Sequence, residues 1–180
     1  MLRQNVDMAV LERRSEGLYC PAADAWIDPS RPVKRALITH AHADHARPGS
    51  GEYWAVNQAE GVLRQRLGRE INLHSVAYGE KLTIGEAKVS FHSAGHVLGS
   101  AQIRIEIRGE VWLVTGDYKR CHDPSCTPFE NVKCDVLVTE STFGLPIYRW
   151  KPGREIAEEI YEWWKEEKEH PSLLFCYAFG

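Results

Sequence analysis

Three segments of this chain run as apolar strands and then stop on side chains that bind metals. RALITH reaches His40, and His42, Asp44 and His45 follow within the next five positions; FHSAGH reaches His96; VWLVTGD reaches Asp117. In a layered α/β fold the ends of core strands open into one crevice, so ligands far apart in sequence converge there. That repeated form constrains the chain more than any other feature.

Within ITHAHADHARPG, His40 and His42 are two apart. In an extended stretch they project to one side and can clamp a single cation. Asp44 and His45 come after the chain has begun to turn, so they face a neighbouring position, and two adjacent sites suit the pattern better than one. A carboxylate among imidazoles favours zinc, with manganese or iron as substitutes. By position alone His96 and Asp117 are further ligands of the same crevice. His74, His122 and His170 have no such context and are expected at the surface or in hydrogen bonds. His92 alternates with Phe91 and is expected to face solvent.

Strands and turns are expected from about Gly17 to Glu140. KLTIGEAKVSF forms a hairpin about Gly85-Glu86, and QIRIEIRGEVWLV another about Gly109-Glu110, with Ile103, Ile105 and Ile107 on its buried face. VWLVTGD and DVLVTE are continuous apolar strands ending at Asp117 and Glu140. Val56 to Gly68 is a helix closed by Gly68. A second helix follows Pro152, with Ile156, Ile160 and Trp163 or Trp164 as a core stripe. PSLLFCYAFG begins another buried strand, and an apolar strand cut at its end suggests a truncated chain.

The 180 residues allow one domain with a sizeable core, and 43% hydrophobic with 26% charged residues is ordinary for a globular protein. No apolar run approaches membrane-spanning length, and the N-terminus lacks a signal-peptide core, so a cytoplasmic protein without membrane association is expected. A net charge of −3 makes no global case for nucleic acid, leaving a local basic groove. Five scattered cysteines argue against a disulfide framework, and the spacing CHDPSC makes a poor zinc knuckle.

THAHADH, AGHVLGS and TGDYK resemble the successive metal motifs of the metallo-β-lactamase fold, an αββα arrangement. The resemblance implies that His40, His42 and His96 hold one metal and that Asp44 and His45 hold a second, with Asp117 bridging the pair. The fold's last histidine ligand belongs to a later segment than this chain contains. ESTFG, with Glu140, resembles the first acidic motif of the β-CASP nucleases, whose members include Artemis, ribonuclease J and the pre-mRNA 3′-end endonuclease. GLYCPAADAWIDPSRPVKRALITHAHADHARPG, AGHVLGSAQ, TGDYKR, DPSCTPFE and ESTFGLPIYRW are similar to the bacterial DNA-ligase-associated exonucleases, over nearly all of Gly17 to Gly180. This implies the N-terminal part of the hydrolase fold over 1–144 and the start of an inserted β-CASP cap over 145–180.

The expected activity is metal-dependent phosphodiester hydrolysis, in DNA end processing for repair, alongside an ATP-dependent DNA ligase and a helicase. RNA is the alternative substrate; a small-molecule thioester or lactam hydrolase and an inert metal-binding fragment are the rivals. Two divalent ions, zinc or manganese, would activate water and neutralise charge on phosphate oxygens. Asp44, Asp117 and Glu140 are the candidate catalytic groups, with Glu140 holding a ligand histidine from behind. Lys119 and Arg120 are candidates for a backbone phosphate.

Overall fold

Six strands build a first sheet in chain order: β1 (Glu12–Arg14), β2 (Gly17–Cys20), β3 (Ala25–Ile27), β4 (Arg35–Leu37), β5 (Glu52–Val56) and β6 (Leu73–Val76). A computed structural model describes residues 9–166, 168–176 and 179. β1, β2 and β3 pair antiparallel, and β3 to β6 run parallel. The parallel step from β5 to β6 is made by α1 (Glu60–Leu67), entered through a 3₁₀ turn at Asn57–Ala59. Gly68, at φ 120°, ends it as expected, and Leu63 and Leu67 are its buried residues.

The two earlier parallel steps, from β3 to β4 and from β4 to β5, have no helix. The second of them is the long loop 38–51 that carries His40 to His45. Tyr53, 1% exposed, fixes this loop from inside: its hydroxyl accepts from the Ser50 amide at 2.8 Å and donates to the Arg47 carbonyl at 3.0 Å. The amides of His45 and Ala46 both donate to the His42 carbonyl, at 3.1 and 2.8 Å, which closes the turn that separates the first two histidines from Asp44 and His45.

Five strands make the second sheet, in the order β11-β10-β9-β8-β7: β7 (Leu82–Ile84), β8 (Ala87–Ser93), β9 (Ala101–Ile107), β10 (Glu110–Val114) and β11 (Val136–Val138). Both expected hairpins are present. The second turns one residue earlier than expected, at Arg108-Gly109, because both have positive φ (53° and 90°), the requirement of a type I′ turn. Ile103 and Ile105 are fully buried, with Phe91 and Val89 beside them on β8 and Leu37 and Ile27 from the first sheet. Each such side chain contributes about 1.5–3 kcal/mol by leaving water.

Two strands are shorter than the sequence suggests. β10 stops at Val114, because Gly116 at φ 55° turns the chain before Asp117. β11 stops at Val138, two residues before Glu140, and pairs parallel with β10. Backbone bonds tie the sheets together: Ala101 donates to the Thr39 carbonyl at 2.7 Å, and Glu86 to that of Ala22 at 2.7 Å.

These sheets form one unit that ends at Glu140, and Ser141 to Phe179 form a second. The second unit contains α2 (Gly153–Glu166). Its apolar stripe is present, but Ile156 (38%), Ile160 (38%) and Trp163 (42%) are exposed, so it is not a core stripe among the described residues. The strand expected over PSLLFCYAFG is also not formed at 171–176; Leu173 and Phe175 are open to solvent, where an unpaired strand has no ladder to join. Its Tyr177, Ala178 and Gly180 lie outside the described residues. No helix among the described residues is long and apolar enough to cross a membrane.

Candidate metal centre

The loops leaving β3, β4, β8 and β10 meet where those strands end. His40, His42, His96 and Asp117 each place one ligand atom there, all within 4.8 Å of one another. His40 Nε2 lies 3.0 Å from His42 Nδ1, and His96 Nε2 lies 3.4 Å from the same atom. Asp117 Oδ2 is 3.7 Å from both His40 Nε2 and His96 Nε2. Four ligands at ~2.0–2.1 Å around a tetrahedral ion stand ~3.4 Å apart, so this set fits a zinc-sized cation.

A second group lies against the first. His45 Nε2 is 3.4 Å from Asp117 Oδ1 and 3.6 Å from Asp44 Oδ2. Asp117 therefore presents one oxygen to His40 and His96 and the other to His45. Asp44 is the most open member, its side chain 74% exposed.

The sequence reading missed the residue that organises both groups. Asp28, immediately after β3 and at φ 43°, accepts three hydrogen bonds: from the Thr39 amide (2.8 Å), the Thr39 hydroxyl (2.6 Å) and His45 Nδ1 (2.8 Å). The Thr39 hydroxyl, having given its proton to Asp28, accepts from His40 Nδ1 at 3.0 Å. These bonds suit the tautomer with the proton on Nδ1 in both rings, which leaves both Nε2 atoms as acceptors on the side of the clustered groups. The signal was available, since AWID is another apolar strand ending on an acidic residue.

Packing holds the ligand loops close. Gly116 sits where an added Cβ would lie 2.6 Å from Thr39 Cβ, so TGD reaches the Thr39 loop because it has no side chain there. The Ser100 hydroxyl accepts from the amides of His96 and Val97, at 3.0 and 3.2 Å. The Lys119 amide donates to the Ala94 carbonyl at 3.0 Å, joining the segment after Asp117 to the segment before His96.

The histidines do not share one proton affinity. Burial, then the neighbouring charges of His45, His42 and His96, pushes His40 down to about 2. Burial lowers His96 as well, against the pull of Asp117 and Glu140. For His45 burial is the largest influence and lowers it, but the Asp28 hydrogen bond and the charges of Asp28, Asp117 and Asp44 together outweigh burial and raise it. At neutral pH His40 and His96 are therefore held as neutral ligands.

The remaining candidates are placed as follows. Glu140 lines a cleft of about 360 Å³ together with Ile27, Asp28, Asp44, His45 and Asp117. Lys119 Nζ is engaged by Asp123 at 2.7 Å, and Arg120 is exposed. His92 is turned away from solvent: its ring bonds to Ser90 Oγ and Glu130 Oε1, both at 2.9 Å. His74 bonds to Glu52 at 3.0 Å and stacks on Trp54. Cys20, Cys121, Cys126, Cys134 and Cys176 are all free thiols.

No protein-family model matches the chain. Among curated proteins it is 33% identical over 172 residues to a probable DNA ligase of Opitutus terrae, covering 92% of this chain and 17% of that protein. It is 40% identical over 88 residues to the endoribonuclease ysh-1 of Neurospora crassa, covering 47% of the chain and 10% of the relative. Similarity to an RNase J-like protein of Methanocaldococcus jannaschii is 39% over 101 residues, covering 51% and 23%. The chain thus spans between a tenth and a quarter of the length of these relatives.

Proposed function

We propose that this chain, a relative of the β-CASP nucleases of the metallo-β-lactamase fold, forms the metal-binding part of a site that hydrolyses phosphodiester bonds at DNA ends. The observation that carries the reading is Asp117, whose two oxygens face two different histidine groups. That arrangement suits a pair of adjacent cations. His40, His42, His96 and Asp117 would hold one, and Asp44, His45 and Asp117 the other. Imidazoles with carboxylates favour zinc, with manganese as the substitute.

When bound, such ions supply Lewis acidity toward phosphate oxygens and a lowered pKa for water. The chain's own groups do the positioning. Asp28 and Thr39 keep the Nδ1 protons of His45 and His40 in place. Asp44, open at the rim, accepts a proton or a hydrogen bond from water entering the cleft. Glu140 adds negative charge to the cleft, and that charge also acts on His96. Arg120 is free to approach a backbone phosphate, and Lys119 does so once it leaves Asp123.

The match to a protein called a probable DNA ligase favours DNA as substrate and a DNA ligase as working partner. Repair as the setting, a helicase as a further partner and the cytoplasm as the location belong to the same proposal. RNA ends are the second reading, favoured by the relatives called endoribonuclease and RNase J-like. On the division of the chain, residues 1–144 belong to the hydrolase fold and 145–180 open the cap.

Labelled single-stranded DNA and RNA, assayed beside a chromogenic ester and a lactam with zinc or manganese, separate these readings. Asp117→Ala should keep the thermal transition and lose metal-dependent cleavage. Cleavage at the parental rate by that variant overturns the proposal.

A further inference from the structure

From Ser141 to Arg154 the chain carries Arg149, Lys151 and Arg154 and no acidic residue. Three aromatic rings share this stretch. Phe143 is the hub: Tyr148 meets it edge-on at 5.2 Å and Trp150 at 5.3 Å. A turn closed by the Tyr148 amide on the Leu145 carbonyl, at 3.1 Å, brings the later rings back to Phe143. The cluster is nevertheless open, with Trp150 70% and Phe143 59% exposed.

Edge-on packing fixes the rings against one another at little entropic cost, and an exposed aromatic patch of this kind marks an interaction surface. Charge says which partner it suits. Arg149, between Tyr148 and Trp150, is exposed and has no ion pair among the described residues. Lys151 and Arg154 pair with Glu159 and Glu158. Such solvent-exposed pairs are weak and are readily exchanged for a phosphate. The apolar stripe of α2 is different: Glu155, Glu158, Glu159, Glu162 and Glu166 accompany it against only Arg154, at its first turn, and Lys165, so it repels a polyanion.

We infer that Phe143, Tyr148 and Trp150, with Arg149, form a stacking surface for single-stranded nucleic acid. Unpaired bases stack on the rings, and Arg149 meets the backbone. A duplex, whose bases are stacked internally, lacks the faces this surface reads. The inference rests on the nucleic-acid reading above and deepens it, by naming the strand state of the substrate and the residues that take it.

The test is equilibrium binding of a fluorescein-labelled dT15 oligonucleotide in chelator, where cleavage does not intervene, with rU15 and a 15-base-pair duplex as parallel arms. Expected is binding of a single strand, weakened about tenfold by Trp150→Ala. Arg149→Ala should reduce the slope of log affinity against log salt by about 0.7. Comparison of dT15 with rU15 distinguishes DNA from RNA. Circular dichroism and α2 helicity show whether each variant is folded, and Tyr148→Ala serves if Trp150→Ala is not. Equal affinity of the parent and these variants overturns the inference, as does duplex binding equal to single-strand binding. Self-association that Trp150→Ala abolishes also overturns it, by assigning the patch to a second copy. Intact binding in chelator together with no cleavage once zinc or manganese is supplied would instead sink the nuclease reading and leave this surface standing.

Discussion

Asp28 Oδ2 accepts from His45 Nδ1 at 2.8 Å, and through Thr39 the same carboxylate reaches His40. Two rings that serve different halves of the centre are therefore oriented by one side chain that is not itself among the clustered ligands.

Asp28→Asn tests that economy. The amide keeps the size but offers one acceptor oxygen and no charge, so it cannot serve both the Thr39 amide at Oδ1 and the Thr39 hydroxyl with His45 Nδ1 at Oδ2. Loss of such a partner typically weakens a metal site by about 10- to 100-fold. Metal content after dialysis should fall from two ions toward one, with the His45 side emptied first. Mass-spectrometric metal counts check this, and unchanged stoichiometry and affinity would contradict it.

Gly116→Ala should be costly for a residue so small. It combines a left-handed φ of 55° with a Cβ placed 2.6 Å from Thr39, itself 1% exposed. Backbone strain and overpacking together should destabilise the protein by about 2–4 kcal/mol. Urea unfolding measures it, and a loss below half of that range would mean the Thr39 loop yields easily.

Stability of the metal-free protein should fall with pH in a defined window. His40 is depressed to about 2 in the fold, so below its ordinary value near 6.5 the unfolded chain takes up a proton that the folded one refuses. The loss from this residue alone is about 1.4 kcal/mol between pH 7.5 and 5.5. His96 is lowered too and adds to it. His45 is raised, so its contribution is complete below its unfolded value and does not reverse the trend. Urea midpoints in chelator should show the decline, and His40→Gln should flatten it.

Asp123→Ala should release Lys119. That ion pair, at 2.7 Å, holds the Asp123 carboxyl well below the usual carboxylate range, with the two Ser125 hydrogen bonds assisting. The lysine side chain is 45% exposed, so the pair itself is worth at most about 1 kcal/mol. Thermal stability should change little, while a freed Lys119 should steepen the salt dependence of oligonucleotide binding. Lys119→Ala should not steepen it.

The clustering of His40, His42, His96 and Asp117 was legible because these residues follow the ends of apolar strands, a rule that reads directly from RALITH, FHSAGH and VWLVTGD. Asp28 obeys the same rule in AWID, yet it escaped notice because a lone acid before a proline also reads as an ordinary turn. Strand ends were overestimated at Val114 and Val138, since a left-handed glycine and a parallel pairing are tertiary facts that hydrophobicity does not encode. His92 was assigned to solvent by alternation, but its partner Glu130 arrives from 38 residues away. The stripe on α2 was read correctly as a face and wrongly as a buried one, because amphipathicity identifies a surface without naming what covers it.

The bond from the Lys119 amide to the Ala94 carbonyl has a kinetic side. It couples the backbone segments bearing Asp117 and His96, so that opening one strand end should disturb the other. An ion held there leaves by a concerted opening of two strand ends, and its release rate should follow local unfolding of the sheet rather than the strength of any one coordinate bond. Chelator-induced loss would then be slow even in excess chelator, with a rate that urea accelerates and chelator concentration does not.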